Sequence, residues 1–198
     1  MSATRASIIA ATCDLLESQG LHATGLNQIV RESGAPKGSL YHHFPEGKDA
    51  IVEAAIAQAG RLVAERIAAG LASGDDPAEA VAAFVRRIAE AVEASGYRDG
   101  GPLATVAMET AATNARLNRA CRAAYADLQG AFAARLRQGG FAAAQATRLA
   151  TFITAAIEGG VILCRTEHSG EPLRLVADQL GQLLAAAPRG ERASPESG

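Results

Sequence analysis

The apolar residues of this chain recur at three- and four-residue spacing from one end to the other, and no segment sustains the two-residue alternation of a half-buried strand. That periodicity confines the fold to packed helices. Composition agrees, because 46 of the 198 residues are alanine, the best helix former and the smallest apolar side chain. Start and stop signals divide the chain into about nine helices, an all-α architecture.

The first runs from Thr4 to Gln19 with Ile8, Thr12, Leu15 and Leu16 inward, and Gly20 reads as a left-handed stop. Thr24 is placed to cap a short second helix that turns Leu26, Ile29 and Val30 inward and breaks at Ser33-Gly34. A third spans Pro36 to Phe44, with Pro36 at its first position and Leu40 and Phe44 on its inner side. After Pro45-Glu46-Gly47 comes a stripe of Ile51, Ala55, Leu62, Val63, Ile67 and Leu71, long enough to join two domains and ended by Ser73-Gly74. Asp76-Pro77-Ala78-Glu79 opens the next helix, with Val81, Phe84, Val85, Ile88 and Val92 buried and Ser95-Gly96 as its close. Gly100-Gly101-Pro102 reads as a loop before a short helix to about Thr113. Asn114 then caps a longer helix carrying Leu117, Cys121, Tyr125, Leu128, Phe132 and Leu136, which Gly139-Gly140 ends. Ala142 to Glu167 carries Leu149, Phe152, Ile153, Ile157, Val161 and Cys164, and Pro172 to Ala186 completes the set. From Pro188 no apolar anchor remains, so residues 188–198 are read as a disordered tail.

Several classes fall away on the residues alone. No run of about 18 apolar residues is free of charge and the first residues lack a signal-peptide layout, so the expectation is a cytoplasmic protein with no membrane partner. Cys13, Cys121 and Cys164 are odd in number and widely spaced, which suits core thiols rather than disulfides or zinc ligands. His42 and His43 point apart on a helix, with His22 and His168 elsewhere, so no metal set is expected and no cofactor is called for. No nucleophile-base pair or phosphate-cradling glycine loop argues for an enzyme.

The net charge of −2 seemingly excludes nucleic acid too, yet the chain's only two lysines, Lys37 and Lys48, lie close together. Two short helices joined by a glycine-containing turn have the layout of a helix-turn-helix, whose second helix enters the DNA major groove. With Leu40 and Phe44 inward, Lys37, Ser39, Tyr41 and His42 face out, all able to donate hydrogen bonds to phosphates or base edges. Gly38 leaves room for close backbone approach. Lys48 stands in the first turn of the fourth helix, where the dipole disfavours a cation, so an anion is expected nearby: a DNA phosphate, or alternatively Glu46 or Asp49.

These residues carry a resemblance. The stretch from Arg5 to Ile56, with Gly20-Leu21-His22-Ala23-Thr24, the run Gly34-Ala35-Pro36-Lys37-Gly38-Ser39-Leu40-Tyr41-His42-His43-Phe44 and Lys48, resembles the DNA-binding domain of TetR-family transcriptional regulators. Gly100-Gly101-Pro102-Leu103-Ala104 with Glu109, and Ile157-Glu158-Gly159-Gly160, resemble the C-terminal domain of its LmrA/YxaF-like branch, although Gly101 stands where that branch often has cysteine. The resemblance implies a homodimeric repressor that binds a palindromic double-stranded DNA operator and leaves it when a small, largely apolar effector enters the C-terminal bundle. Its helix-turn-helix domain is expected over residues 1–50, with a ligand-binding and dimerisation domain over 51–187. Thr24, Lys37, Ser39, Tyr41, His42, His43 and Lys48 match DNA-contacting positions, while Gln28 and Arg31 are either further contacts or ordinary exposed polar groups. The rival reading is a helical small-molecule carrier without DNA binding, which leaves Lys37, Tyr41 and Lys48 unexplained.

In the larger half, Phe84, Tyr97, Met108, Tyr125, Phe132 and Phe152 are bulky groups in an alanine-rich bundle, either core or the lining of an effector cavity. Glu158 on an otherwise apolar helix is a candidate pocket or interface group. Two half-sites need two recognition helices, and the candidate dimer face is Ala155, Ala156, Gly159 and Gly160 with Leu173, Val176, Leu180 and Leu183, whose alternative is packing within one chain. Arg116, Arg119 and Arg122 read as a solvated face. Between Thr24 and Lys48 basic residues exceed acidic ones only by three to two, so few phosphate contacts and a shallow salt dependence are expected.

Overall fold

The computed structural model describes residues 2–72, 74–98 and 102–189. Among them are nine helices and no strand: α1 (Ala3–Ala23), α2 (Leu26–Ser33), α3 (Lys37–His43), α4 (Lys48–Gly70), α5 (Pro77–Ala94), α6 (Pro102–Thr110), α7 (Ala115–Gln138), α8 (Ala143–Glu167) and α9 (Glu171–Ala186). The expected breaks at Ser73 and Gly100-Gly101, and the tail beyond Arg189, lie outside the described residues. Contacts divide the chain into two units, Met1–Val63 with Arg98–Asp127, and Ala64–Tyr97 with Leu128–Gly198. This division gathers α6 and the start of α7 with the first three helices, unlike a cut after residue 50.

In the first unit α1 packs on α2, α3 and α6 around Ile8, Leu16, Ile29, Leu40 and Phe44. Gly20 is the first departure from expectation. Its φ of 77° and ψ of −179° belong to an extended region open essentially only to glycine, and the helix resumes for one more turn to Ala23 instead of stopping. Thr24 does not cap α2: the N-cap is Gly25, and the Thr24 hydroxyl donates to the Gly20 carbonyl at 2.6 Å. Pro36 is the N-cap of α3, so the helix begins at Lys37, one residue later than expected. The buried face of α4 begins with Ile51, Val52, Ala55 and Ile56 and continues through Ala59. At Gly60 an added Cβ would lie 2.6 Å from the Ala124 Cβ of α7, so α4 and α7 cross closely there. Leu62, expected on the buried stripe, is 45% exposed. The Cys13 thiol sits 3.4 Å from the Ala55 carbonyl and is pushed up to about 11 by burial, then by Asp14 and Glu17.

In the second unit α5, α8 and α9 form a three-helix core. Ala82, Ala89, Ala146, Ala150 and Ala177 are buried among Val81, Val85, Ile153, Leu173 and Leu180. The alanine content therefore permits close helix approach as well as helix formation. Asp76 caps α5 through the Ala78 amide at 3.2 Å with Pro77 behind it, as the sequence predicts. The end of α4 is closed by guanidinium groups: Arg87 donates to the Gly70 carbonyl, and Arg135 to those of Leu71 and Gly74. Arg174 donates to Glu93, whose carboxylate also accepts from the Gly170 amide at 2.9 Å. Arg189 donates to Asp76 and lies over the Phe141 ring, so the first residues of the expected tail are anchored.

Helix α8 keeps to the reading that no run of about 18 apolar residues is free of charge, with Arg148, Glu158 and Arg165 along it. Glu158 interrupts its apolar run, but Ala143–Glu167 is long and apolar enough to cross a membrane by length and composition. The cause is visible in its two faces. Ala146, Ala150, Ile153, Val161 and Cys164 are buried, while Phe152, Ile162 and Leu163 are 50% or more exposed on the other side.

Candidate nucleic-acid interface

The reading head is built by a tight turn. Gly34 adopts the left-handed conformation, φ 64° and ψ 9°, and its amide donates back to Arg31, ending α2. The Ser33 hydroxyl donates to Val30 and accepts from the Ala35 amide, and Ala35 is buried beneath the turn. Pro36 then sets α3, whose Ser39 and Leu40 amides both donate to the Pro36 carbonyl. Leu40 and Phe44 are buried, and Arg5 of α1 lies 5.1 Å over the Phe44 ring.

That anchoring leaves one face of α3 outward. Lys37 and Tyr41 are four residues apart, as are Gly38 and His42, and all four are exposed, with no acidic residue on the helix. Ser39 and His43 are half-buried at its edges. The His43 Nε2 lies 3.2 Å from the Ser2 hydroxyl, and the His42 and His43 rings meet edge-on at 5.1 Å. The face offers an ammonium, a phenol and an imidazole over a short span, a set suited to phosphate oxygens and base edges.

The remaining expected contacts lie elsewhere. Thr24 is 1% exposed, so its hydroxyl holds the turn at Gly20 and is not presented at the surface. Gln28 exchanges side-chain hydrogen bonds with Gln19, which fixes α2 against α1. Arg31 is exposed and paired with its neighbour Glu32. Lys48 finds neither Glu46 nor Asp49: its ammonium donates to the Leu21 carbonyl at 2.8 Å, in the last turn of α1. The negative end of the α1 dipole supplies the partner that the start of α4 lacks.

Other residues around the head were not legible as such. Glu109 of α6 accepts the Leu21 amide at 2.7 Å, 88 residues away in sequence. Arg116, read as solvated, donates to both Glu46 and Glu53, and these carboxylates raise its affinity for its proton. Asn114 caps α7 through the Leu117 amide, as the sequence predicts, and its unforeseen partner is Asp49 of α4, to which it donates. For Arg116 the signal was only opposite charge, with nothing to mark which partners meet, and for the Leu21 amide and Asp49 there was no signal at all.

The candidate effector residues are divided between the two units. Phe84 and Phe132 meet edge-to-face at 5.9 Å in the second unit, with Phe132 fully buried. Tyr97, itself at φ 61°, meets the His168 ring edge-on at 5.2 Å. Glu158 is half-buried. Phe152 is 53% exposed and Met108 of the first unit 77% exposed, so both face outward, and Tyr125 is half-buried in that same first unit. The candidate dimer residues also separate. Leu173 and Leu180 belong to the core of their own chain, and Gly160 sits against Leu173. Ala155 and Gly159 are exposed, Ala156 and Val176 half-buried, and Leu183 is 42% exposed. Among the described residues no group of three metal-ligating side chains converges.

Fold and geometry define a class: an all-α regulator with a helix-turn-helix reading head. Residues 8–55 match the tetR family of bacterial regulatory proteins, and residues 77–179 match the LmrA/YxaF-like transcriptional regulator C-terminal domain. YxaF of Bacillus subtilis, an HTH-type transcriptional regulator, is 38% identical over 91% of this chain and 95% of its own length. LmrA of the same organism, also an HTH-type transcriptional regulator, is 35% identical over 91% and 96%. A TetR transcriptional regulator from Chloroflexus aurantiacus superposes with a TM-score of 0.77 at 28% identity, covering 94% of this chain and 96% of that one. The chain belongs to the TetR family of transcriptional regulators, in its LmrA/YxaF-like branch.

Proposed function

We propose that this protein is a cytoplasmic, homodimeric repressor that binds a palindromic DNA operator and releases it when a small apolar effector binds its C-terminal domain. The observation that carries the reading is the outer face of α3, where Lys37, Gly38, Tyr41 and His42 are exposed together without an acidic neighbour on the helix. A recognition helix of two turns reads only a few base pairs, so specificity calls for a second copy and a two-fold operator.

The outer stripe of α8 and α9 supports that second copy. Phe152, Ile162, Leu163, Leu175 and Leu183 are each more than 40% exposed, and Ala155 and Gly159 between them allow close approach of another helix. Part of the face differs from the sequence expectation, with Ile162, Leu163 and Leu175 replacing Leu173 and Leu180. The effector reading rests on the branch resemblance and on the aromatic contact of Phe84 with Phe132.

The test is selection from a random duplex library by the wild-type protein, followed by challenge of the complex with a panel of small apolar compounds. The expected result is an enriched sequence with two-fold symmetry that at least one compound releases. Failure to enrich any duplex would leave the carrier reading in its place.

A further inference from the structure

The Leu21 backbone sits where α1, the start of α4 and α6 meet, within the first unit. Its amide donates to the Glu109 carboxylate at 2.7 Å and its carbonyl accepts the Lys48 ammonium at 2.8 Å. Gly20, immediately before it, holds the glycine-only conformation that breaks the helix and frees that amide for a side-chain partner. A Cβ at Gly20 would come within 2.9 Å of Glu109 Oε1 and 3.2 Å of Thr105 Cγ2, so the carboxylate occupies the space that glycine leaves. The Thr24 hydroxyl binds the Gly20 carbonyl from the other side and is itself buried. The bonds that the half-buried Glu109 carboxylate accepts and the half-buried Lys48 ammonium donates, at the two successive peptide groups flanking the Leu21 Cα, are charge-assisted and stronger than the neutral bonds around them.

We infer that Glu109 and Lys48 are positioning residues for DNA recognition: together they clamp the Leu21 backbone, one at its amide and one at its carbonyl, and so fix the end of α1, on which α2 and α3 are packed. This rests on the proposed DNA-binding function and alters one part of it. Lys48 acts through Leu21 and not on a phosphate, and α6 takes part in setting the reading helix without touching DNA. Both residues hold the backbone of the same residue, so their effects are coupled.

The experiment measures binding to the duplex selected by the wild-type protein, across a series of salt concentrations, for wild type, Glu109→Gln, Lys48→Gln and the double variant. Each single variant is expected to bind about tenfold more weakly, within the usual range for coupling between sites. The salt slope should stay at the wild-type value, and the double variant should bind no more weakly than the worse single one. A slope reduced by about one per protomer in Lys48→Gln would make Lys48 a phosphate contact and overturn the proposal. Wild-type affinity in Glu109→Gln would overturn it as well. Should a variant fold poorly, amide exchange at Leu21 in the wild-type protein decides: protection matching the buried helix interior is expected, and rapid exchange contradicts the clamp. A wild-type protein that selects no duplex overturns the DNA-binding reading itself, while a protected Leu21 amide would still leave the clamp as a structural fact.

Discussion

The outer face of α3 and the outer face of α8 both look away from their own cores, and they do so with opposite chemistry. On α3 the outward residues are Lys37, Gly38, Tyr41 and His42; on α8 they are Phe152, Ala155, Gly159, Ile162 and Leu163. A polar outward face on a well-anchored helix needs no explanation as packing, so it stands out as a site. An apolar outward face looks in sequence like a second core stripe, and only the structure shows which of the two is inside. On the proposed function these faces await different partners, DNA for one and another copy of the chain for the other.

The largest effect should come from the apolar face. Leu163→Asp is expected to turn a micromolar dimer into a monomer in sedimentation velocity, with helix content unchanged. Operator affinity should then drop by about 100-fold or more, because linked half-sites gain that much from being bound together. A Leu163→Asp protein that remains dimeric would break the comparison. On the inner face Ile153→Ala should cost about 2–5 kcal/mol of stability while leaving the oligomeric state alone, as read by chemical denaturation. Reversal of these two outcomes would mean that the faces of α8 had been exchanged.

On the polar side, Lys37→Ala is expected to weaken operator binding by about 1–3 kcal/mol per contact and to reduce the salt slope by about one per protomer, with thermal stability unchanged. A total slope near −10 for the wild-type protein would demand more phosphate contacts than this small cationic face supplies. The smallest effect is in acid. The Glu93 carboxyl is held below the usual carboxylate range by hydrogen bonds from Arg174 and then from the Gly170 amide. A lowered folded value stabilises above the ordinary glutamate range of about 4.3 and is lost as pH falls through it. The melting temperature of Glu93→Gln should therefore lie below wild type at neutral pH and converge with it in acid.

Much of the fold was legible because its punctuation is local. Asp76-Pro77, Gly34 and Gly140 act within a few residues, so helix existence and most boundaries followed from the sequence. Gly20 misled because glycine signals a break without saying which one, and its extended conformation let α1 resume. The α3 face was legible for the same local reason: Leu40 and Phe44 fix the inner side of a short helix. Lys48 was anomalous on sight, but its partner lies 27 residues away, and Glu109 meets Leu21 across 88. In α8, alanine and glycine on both sides blurred the inner stripe into the outer one. In α9, Leu173 and Leu180 were assigned with Leu183 to a surface, but of these three leucines only Leu183 is exposed, joined by Leu175 two residues after Leu173.

The most direct measurement is a hydroxyl-radical footprint on the selected duplex. The account predicts two protected patches related by a dyad, with centres about one helical turn or a multiple apart. Both should fade together in Lys37→Ala. A single protected patch, or two that persist unchanged in that variant, would contradict it.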